Sequence, residues 1–260
     1  MKLFTKILVC FLAGAGAGIG TGFAGMSAAA VIGPVLTAFL GVPAYTAVGI
    51  GLASDVLASA ACARTYSKNK NIDIRNGIIM MLSVIAFTVV GSYAASFMSE
   101  RAMGNSTMLA MALIGLRFLI KPVSTTKEQM NAVSRKKKIA GSVIGGCTVG
   151  FICGFFGAGG GMMMLFVLTT FLGYELHTAV GTSVFIMSFT ALTGSLSHFS
   201  IGGNMPDLTI LLLCILFTLL WAVTAARIAN KSNTKLLNRI VGVVLILTSL
   251  VIIIFKAVNE

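Results

Sequence analysis

A run of glycines interrupts an apolar stretch at Gly150, Gly154, Gly157, Gly159, Gly160 and Gly161, and the same break stands 132 positions earlier around Gly18, Gly22 and Gly25. From Gly14–Gly49 against Gly146–Gly181, with no gap, 15 of 36 positions are identical. The matches include Gly22-Phe23 with Gly154-Phe155, Phe39-Leu40-Gly41 with Phe171-Leu172-Gly173, and Thr46-Ala47-Val48-Gly49 with Thr178-Ala179-Val180-Gly181. Ungapped register with aligned turns marks a duplicated unit, so whatever one copy folds into the other must also fit.

Composition decides the environment of both copies. The chain is 57% hydrophobic and 10% charged, and several runs reach the ~20 apolar residues that cross a bilayer. Ten segments are expected: 7–24, 26–40, 44–63, 74–98, 104–120, 139–156, 160–172, 176–197, 207–229 and 237–256. The fold class expected is all-α, a polytopic membrane protein of about ten transmembrane or half-membrane helices in two inverted repeats. The repeats would be 1–120 and 139–260, joined by a basic cytoplasmic linker at 121–138. The apolar run after Lys2 and Lys6 imitates a signal peptide, but Gly14 onward belongs to the first copy, so cleavage is not expected.

Inversion follows from parity. Segments two and seven are short, and each returns with its predecessor to the side where that predecessor began. Three further crossings make the unit odd, so the second copy enters from the opposite side. With the N-terminus outside, 15 of the 19 Lys and Arg residues fall on the inner face, as cytoplasmic loops require; Lys2 and Lys6 go against it. A rival parallel arrangement places Arg227, Lys231, Lys235 and Arg239 outside and the loop from Ser200 to Asp207, without Lys or Arg, inside. The net charge of +12 is then a topology signal rather than a nucleic-acid surface. Lys121-Pro122 should stop segment five, and Asn204 followed by Pro206 should open segment nine as cap and first-turn proline.

Within this frame the glycines divide. Gly14, Gly18 and Gly22, like Gly146, Gly150 and Gly154, recur every four residues and form a ridge for close helix packing. Gly157, Gly159, Gly160 and Gly161 instead end a helix and precede a new one. A helix that starts at membrane depth leaves its first N–H groups unpaired and partly positive, and anions bind such ends. In the first copy Gly25 and Ser27 hold the equivalent place. Thr182 and Ser183 add hydroxyls for a cavity, although helix hydroxyls commonly bond their own i−4 carbonyl.

Asp55 is the one carboxylate in the interior of an expected segment. It lies roughly 16 Å along it, near the midplane, where an acid is a candidate proton or cation coupling site; the bland alternative pairs it with Ser54 or Ser59. Its counterpart in the second copy is Met187, so coupling would be one-sided. Five scattered cysteines, His177 and His198 near segment ends, and the Met162–Met164 run show no metal spacing. No catalytic residue set, metal site or cofactor is expected, and an enzyme is not expected.

The duplicated GFxG breaks, the short helices after them, the turns at Gly41 and Gly173, and the His198…Gly202…Asp207 stretch resemble the TauE/SafE family of sulfite and organosulfonate exporters. The resemblance implies a multi-pass permease for small sulfur-containing or carboxylate anions, placed in the cell membrane (the inner membrane of a bacterium). The partners expected are a small anionic substrate and the lipid bilayer, with no nucleic acid. The alternatives are a cation-coupled or cation carrier centred on Asp55, or a non-transport membrane protein.

Overall fold

The computed structural model of the chain describes residues 3–95, 109, 112–156, 160–202 and 206–259. Among these the regular structure is entirely helical: α1 Leu3–Ala24, α2 Ala29–Leu40, α3 Ala44–Lys68, α4 Ile74–Ala95, α5 112–120, α6 Lys127–Ala132, α7 Arg135–Phe156, α8 Gly160–Thr170, α9 Leu176–Gly202, α10 Leu208–Lys231 and α11 Thr234–Asn259. Five helices are long and apolar enough to cross a membrane, and the chain is a multi-pass membrane protein.

The helices are apolar on every side, so size rather than polarity decides which face is inside. On α10 the small residues Cys214, Thr218, Ala222, Ala226 and Ala229 are buried, while Leu208, Leu212, Leu216 and Leu220, four apart, stand about half exposed. Lipid tails are as apolar as leucine, so nothing drives the leucines inward, whereas small residues let helix backbones approach.

The glycine ridges use this rule across the two copies. Along α1, Gly14 meets Phe217 and Thr218, Gly18 meets Thr218 and Ala222, and Gly22 meets Ala222 and Ala225, so α1 and α10 run parallel. Along α7, Gly146 meets Met80 and Ser83 and Gly150 meets Val84, so α7 and α4 run parallel as well. Each pair joins the first helix of one copy to the fourth of the other. Between them α3 packs on its counterpart α9. There Gly181 lies beside Tyr66 while Gly194 lies beside Leu52, so those two run antiparallel.

Both short helices return toward the start of their predecessors. Lys6 near the start of α1 shares a cavity wall with Leu40 and Gly41 at the end of α2, and Gly141 early in α7 faces Leu172 just after α8. The turns that follow are copies in their backbone too. Gly41 and Gly173 take φ +63° and +65°, and the Val42 and Tyr174 amides donate to Leu36 O at 3.3 Å and Leu168 O at 2.9 Å. A Cβ at either glycine would meet nothing within 4 Å, so the left-handed φ, not lack of room, calls for glycine.

Two boundaries differ from expectation. Asp207 itself caps α10, its Oδ1 accepting from the Thr209 amide at 2.9 Å and the Ile210 amide at 3.3 Å, and Pro206 precedes the cap rather than occupying the first turn. The stretch after Pro122 is not bare linker. It carries α6, opened by a Thr126/Gln129 capping box, and its Val123 backbone is held from both sides by the Asn238 amide at 2.8 and 3.0 Å. The helix at 112–120 does stop before Lys121-Pro122.

Candidate functional site

The two breaks meet. Gly25 ends α1 with φ +60°, its amide still bonded to Thr21 O at 3.0 Å and the Met26 amide to Gly20 O at 3.2 Å. The Thr21 hydroxyl donates to Met26 O at 2.9 Å, and the Tyr66 hydroxyl reaches from α3 to Gly22 O at 2.9 Å, so the freed carbonyls of the break find partners. From the other copy, Gly161 in the first turn of α8 lies so close that a Cβ there would overlap the Gly25 carbonyl oxygen and the Met187 sulfur. A Cβ on Gly25 would overlap the Ser183 hydroxyl. No side chain fits between these elements, which is the physical reason for glycine on both sides of the crossing.

The expected site residues separate accordingly. Gly25, Gly161 and Ser183 converge, with Gly160 opening α8 beside them, and Ser27, two residues after Gly25, faces Asp55. Ser183 donates its hydroxyl to Val180 O at 2.8 Å. Thr182 faces elsewhere: its hydroxyl accepts from the Asp73 amide at 3.1 Å in the α3–α4 turn. Gly157 and Gly159 lie outside the described residues. Thr21, Tyr66 and Gly51 join the site without having been expected. Gly51 is where α3 accepts the backbone of Ala29, with a built Cβ only 2.5 Å from its Cα. Gly51 lies outside the repeating glycine series, and nothing in the sequence signals the Tyr66 bond.

Asp55 sits at this crossing, 1% exposed. Ser54 and Ser59 do not pair with it: their hydroxyls donate to Ile50 O at 2.8 Å and to the Asp55 backbone carbonyl at 2.5 Å. The polar groups that face its carboxyl are the Ser27 hydroxyl, the Ala28 amide and the Thr21 hydroxyl, yet neither oxygen completes a hydrogen bond among the described residues. A buried polar atom without a partner is costly, and it stands at the opening of α2, where Ala28 precedes the first helical residue.

The two faces differ in access. Above Asp55, a cavity of about 590 Å³ is lined by Lys6, Gly41, Thr46, Ile50, Asp207 and Ile210. On α3 its lining runs as far as Ile50, five residues before Asp55. At its mouth Lys6 Nζ pairs with Asp207 at 2.5 Å. The opposite face is closed by polar contacts between turns. Tyr174 donates to Asp73 Oδ2 at 2.9 Å, Asn71 donates to Asn230 Oδ1 at 2.7 Å, and Lys127 donates to Asn71 Oδ1 at 2.5 Å.

Glu175 caps α9 in that closed face, accepting from the His177 and Thr178 amides at 3.0 and 2.9 Å and facing the His177 ring at 2.6 Å. Burial alone would push its carboxyl up, but the His177 ring and the two amides outweigh that and hold it at about 2. The other nitrogen of His177 faces Ser232 O at 3.0 Å. His177 is therefore buried between turns.

No cluster of metal-ligating side chains occurs among the described residues. The comparisons agree with a transport protein. The family model described as Sulfite exporter TauE/SafE matches residues 10–252. Two curated proteins of Bacillus subtilis are similar: probable membrane transporter protein YunE, 25% identical over 88% of each chain, and probable membrane transporter protein YdhB, 27% identical over 86% of this chain and 89% of that one. A probable membrane transporter protein of Haemophilus influenzae is 28% identical over 78% of each. No solved structure matches the chain. With the family model covering almost its whole length, the chain is a membrane transporter that belongs to the TauE/SafE sulfite exporter family.

Proposed function

We propose that the protein is a secondary transporter for a small anion: sulfite, an organosulfonate, or a related sulfur-containing or carboxylate anion. The observation that carries this reading is the crossing itself. The start of α8 lies against the end of α1, where Gly161 meets Gly25, and α2 starts four residues after Gly25; helix starts inside a membrane protein favour negative charge.

The copies 1–120 and 139–260 act as inverted halves joined through 121–138. The antiparallel run of α3 and α9, which are counterparts, supports that reading. Rocking of one half against the other would expose the crossing alternately to each face. The face bearing Arg64, Lys68, Lys70 and Arg75, together with Lys231 and Lys235, is assigned to the cytoplasm. The cavity between Lys6 and Ile50 then opens outward.

A second reading, a cation carrier centred on Asp55, draws on that residue's unpartnered oxygens. The partly positive start of α2 beside it counts against a resident cation. Uptake by reconstituted vesicles of labelled sulfite, taurine-like sulfonates and small carboxylates, with and without a pH gradient, tests both. Saturable anion uptake is expected; sodium or potassium uptake indifferent to every anion would reverse the choice.

A further inference from the structure

The two breaks hold equivalent places in the duplicated sequence and differ in chemistry. At the α2 break, Asp55 is buried with both carboxyl oxygens unpartnered, facing the Ser27 hydroxyl and the Ala28 amide. At the α8 break the counterpart is Met187, whose sulfur fills the space beside Gly161. We propose that Asp55 is a built-in competitor for the substrate: its ionised carboxylate claims the start of α2 that a substrate oxyanion would occupy, so the anion enters only after Asp55 binds a proton, and the two move together.

Hydrogen-bond donors are scarce at this point of the fold. An ionised carboxylate in a dry site needs hydrogen bonds. The donors facing Asp55 are the Ser27 hydroxyl and the Ala28 amide, because the Thr21 hydroxyl already donates to Met26 O. A sulfonate or sulfite oxygen would want the same donors. Both negative groups cannot share them, because two like charges a few ångströms apart repel strongly in a site drier than bulk water. Protonation removes the charge and releases the donors. No described lysine, arginine, histidine or second acid acts on the carboxyl from α1, α2, α8, α9 or α10; the titratable neighbour is Cys62 on α3 itself. The cavity lined on α3 as far as Ile50, five residues before Asp55, is the route this proposal gives both ligands.

This inference rests on the anion reading above, and the experiment separates them. Binding of a simple alkylsulfonate, whose charge is constant between about pH 5 and pH 9, is titrated calorimetrically in wild type and Asp55→Asn. Wild-type Kd should rise up to tenfold per pH unit on the alkaline side, and Asp55→Asn should bind with the acid-limit affinity at every pH. In weakly buffered solution on that alkaline side, wild type should take up close to one proton per anion bound. Wild-type binding that ignores pH, an unchanged slope in the variant, or no proton uptake overturns this inference alone. No binding by wild type at any pH overturns the anion reading and this one with it. Because the proton count needs no variant, a poorly folded Asp55→Asn does not spare the proposal.

Discussion

The turn after α2 and the turn after α8 share one backbone and do opposite things. Both pass through a left-handed glycine, Gly41 or Gly173, and both close with the same amide-to-carbonyl bond. One presents Val42, Pro43 and Tyr45 and walls an open cavity with Gly41, Val42 and Pro43. The other presents Tyr174, Glu175 and His177 and is tied to neighbouring turns by Tyr174–Asp73 and His177–Ser232. Duplication copies the path of the chain, while side chains decide which face is shut. Side chains also differ beside the breaks, where Asp55 answers to Met187.

If the copies are equivalent in packing, damage to their ridges should be equal and large. A Cβ on Gly18 would come within 2.6 Å of Thr218 O and 2.7 Å of the Ala222 amide, and one on Gly150 would strike the Val84 backbone. Backbone cannot step aside as a side-chain tip can, so Gly18→Leu and Gly150→Leu should each cost about 3 kcal/mol or more. Yields of monodisperse protein should collapse for both. Survival of one alone would show that the ridges are not equivalent. Gly33→Ala is the control, since its Cβ would meet Val48 at an ordinary 3.5 Å.

At the turns the copies should part. Glu175 has its carboxyl held at about 2, below the ordinary 4.5, so it contributes stability that is present above about pH 4.5 and lost as pH falls toward 2. The contribution is on the order of 2–3 kcal/mol. Wild type should out-melt Glu175→Gln near neutrality and lose that advantage through this acid window. A constant gap would remove the Glu175 cap from the closed face.

A smaller effect sharpens the same contrast. Tyr174→Phe removes the bond to Asp73, worth about 1.5 kcal/mol, and should speed hydrogen exchange at the start of α9 about tenfold. Val42→Ala on the sister turn should leave the start of α3 unchanged. Equal responses would mean that the two faces do not differ in closure. The smallest expected change is shared by both copies. Gly41→Ala and Gly173→Ala should each cost about 1 kcal/mol for the left-handed backbone, with melting shifts that agree.

Much of the architecture was legible because it depends on local chemistry repeated twice. The short segments, the turn glycines and the stop at Lys121-Pro122 all follow from helix length and backbone sterics. Choice of partner was not legible. A four-residue glycine ridge says that some helix comes close, not that α1 takes α10 and α7 takes α4 from the other copy. Tyr66 with Gly22, Tyr174 with Asp73 and Asn238 with Val123 are pairs separated by tens of residues, and no spacing rule finds them. Thr182 and Ser183 show the limit within a single turn. Neighbours on a helix point about 100° apart, and only Ser183 faces the break. Asp55 was legible because an acid is rare in such a segment; that its neighbours Ser54 and Ser59 bond backbone instead emerged only in three dimensions.

The most direct test of the crossing is uptake of labelled sulfite by vesicles holding equal amounts of folded wild type, Gly33→Ala and Gly161→Ala. The added methyl at Gly161 would sit on the Gly25 carbonyl and the Met187 sulfur. The expected result is wild-type uptake by Gly33→Ala and loss of at least tenfold by Gly161→Ala. Unimpaired uptake by Gly161→Ala would contradict a substrate path through the meeting of the two breaks.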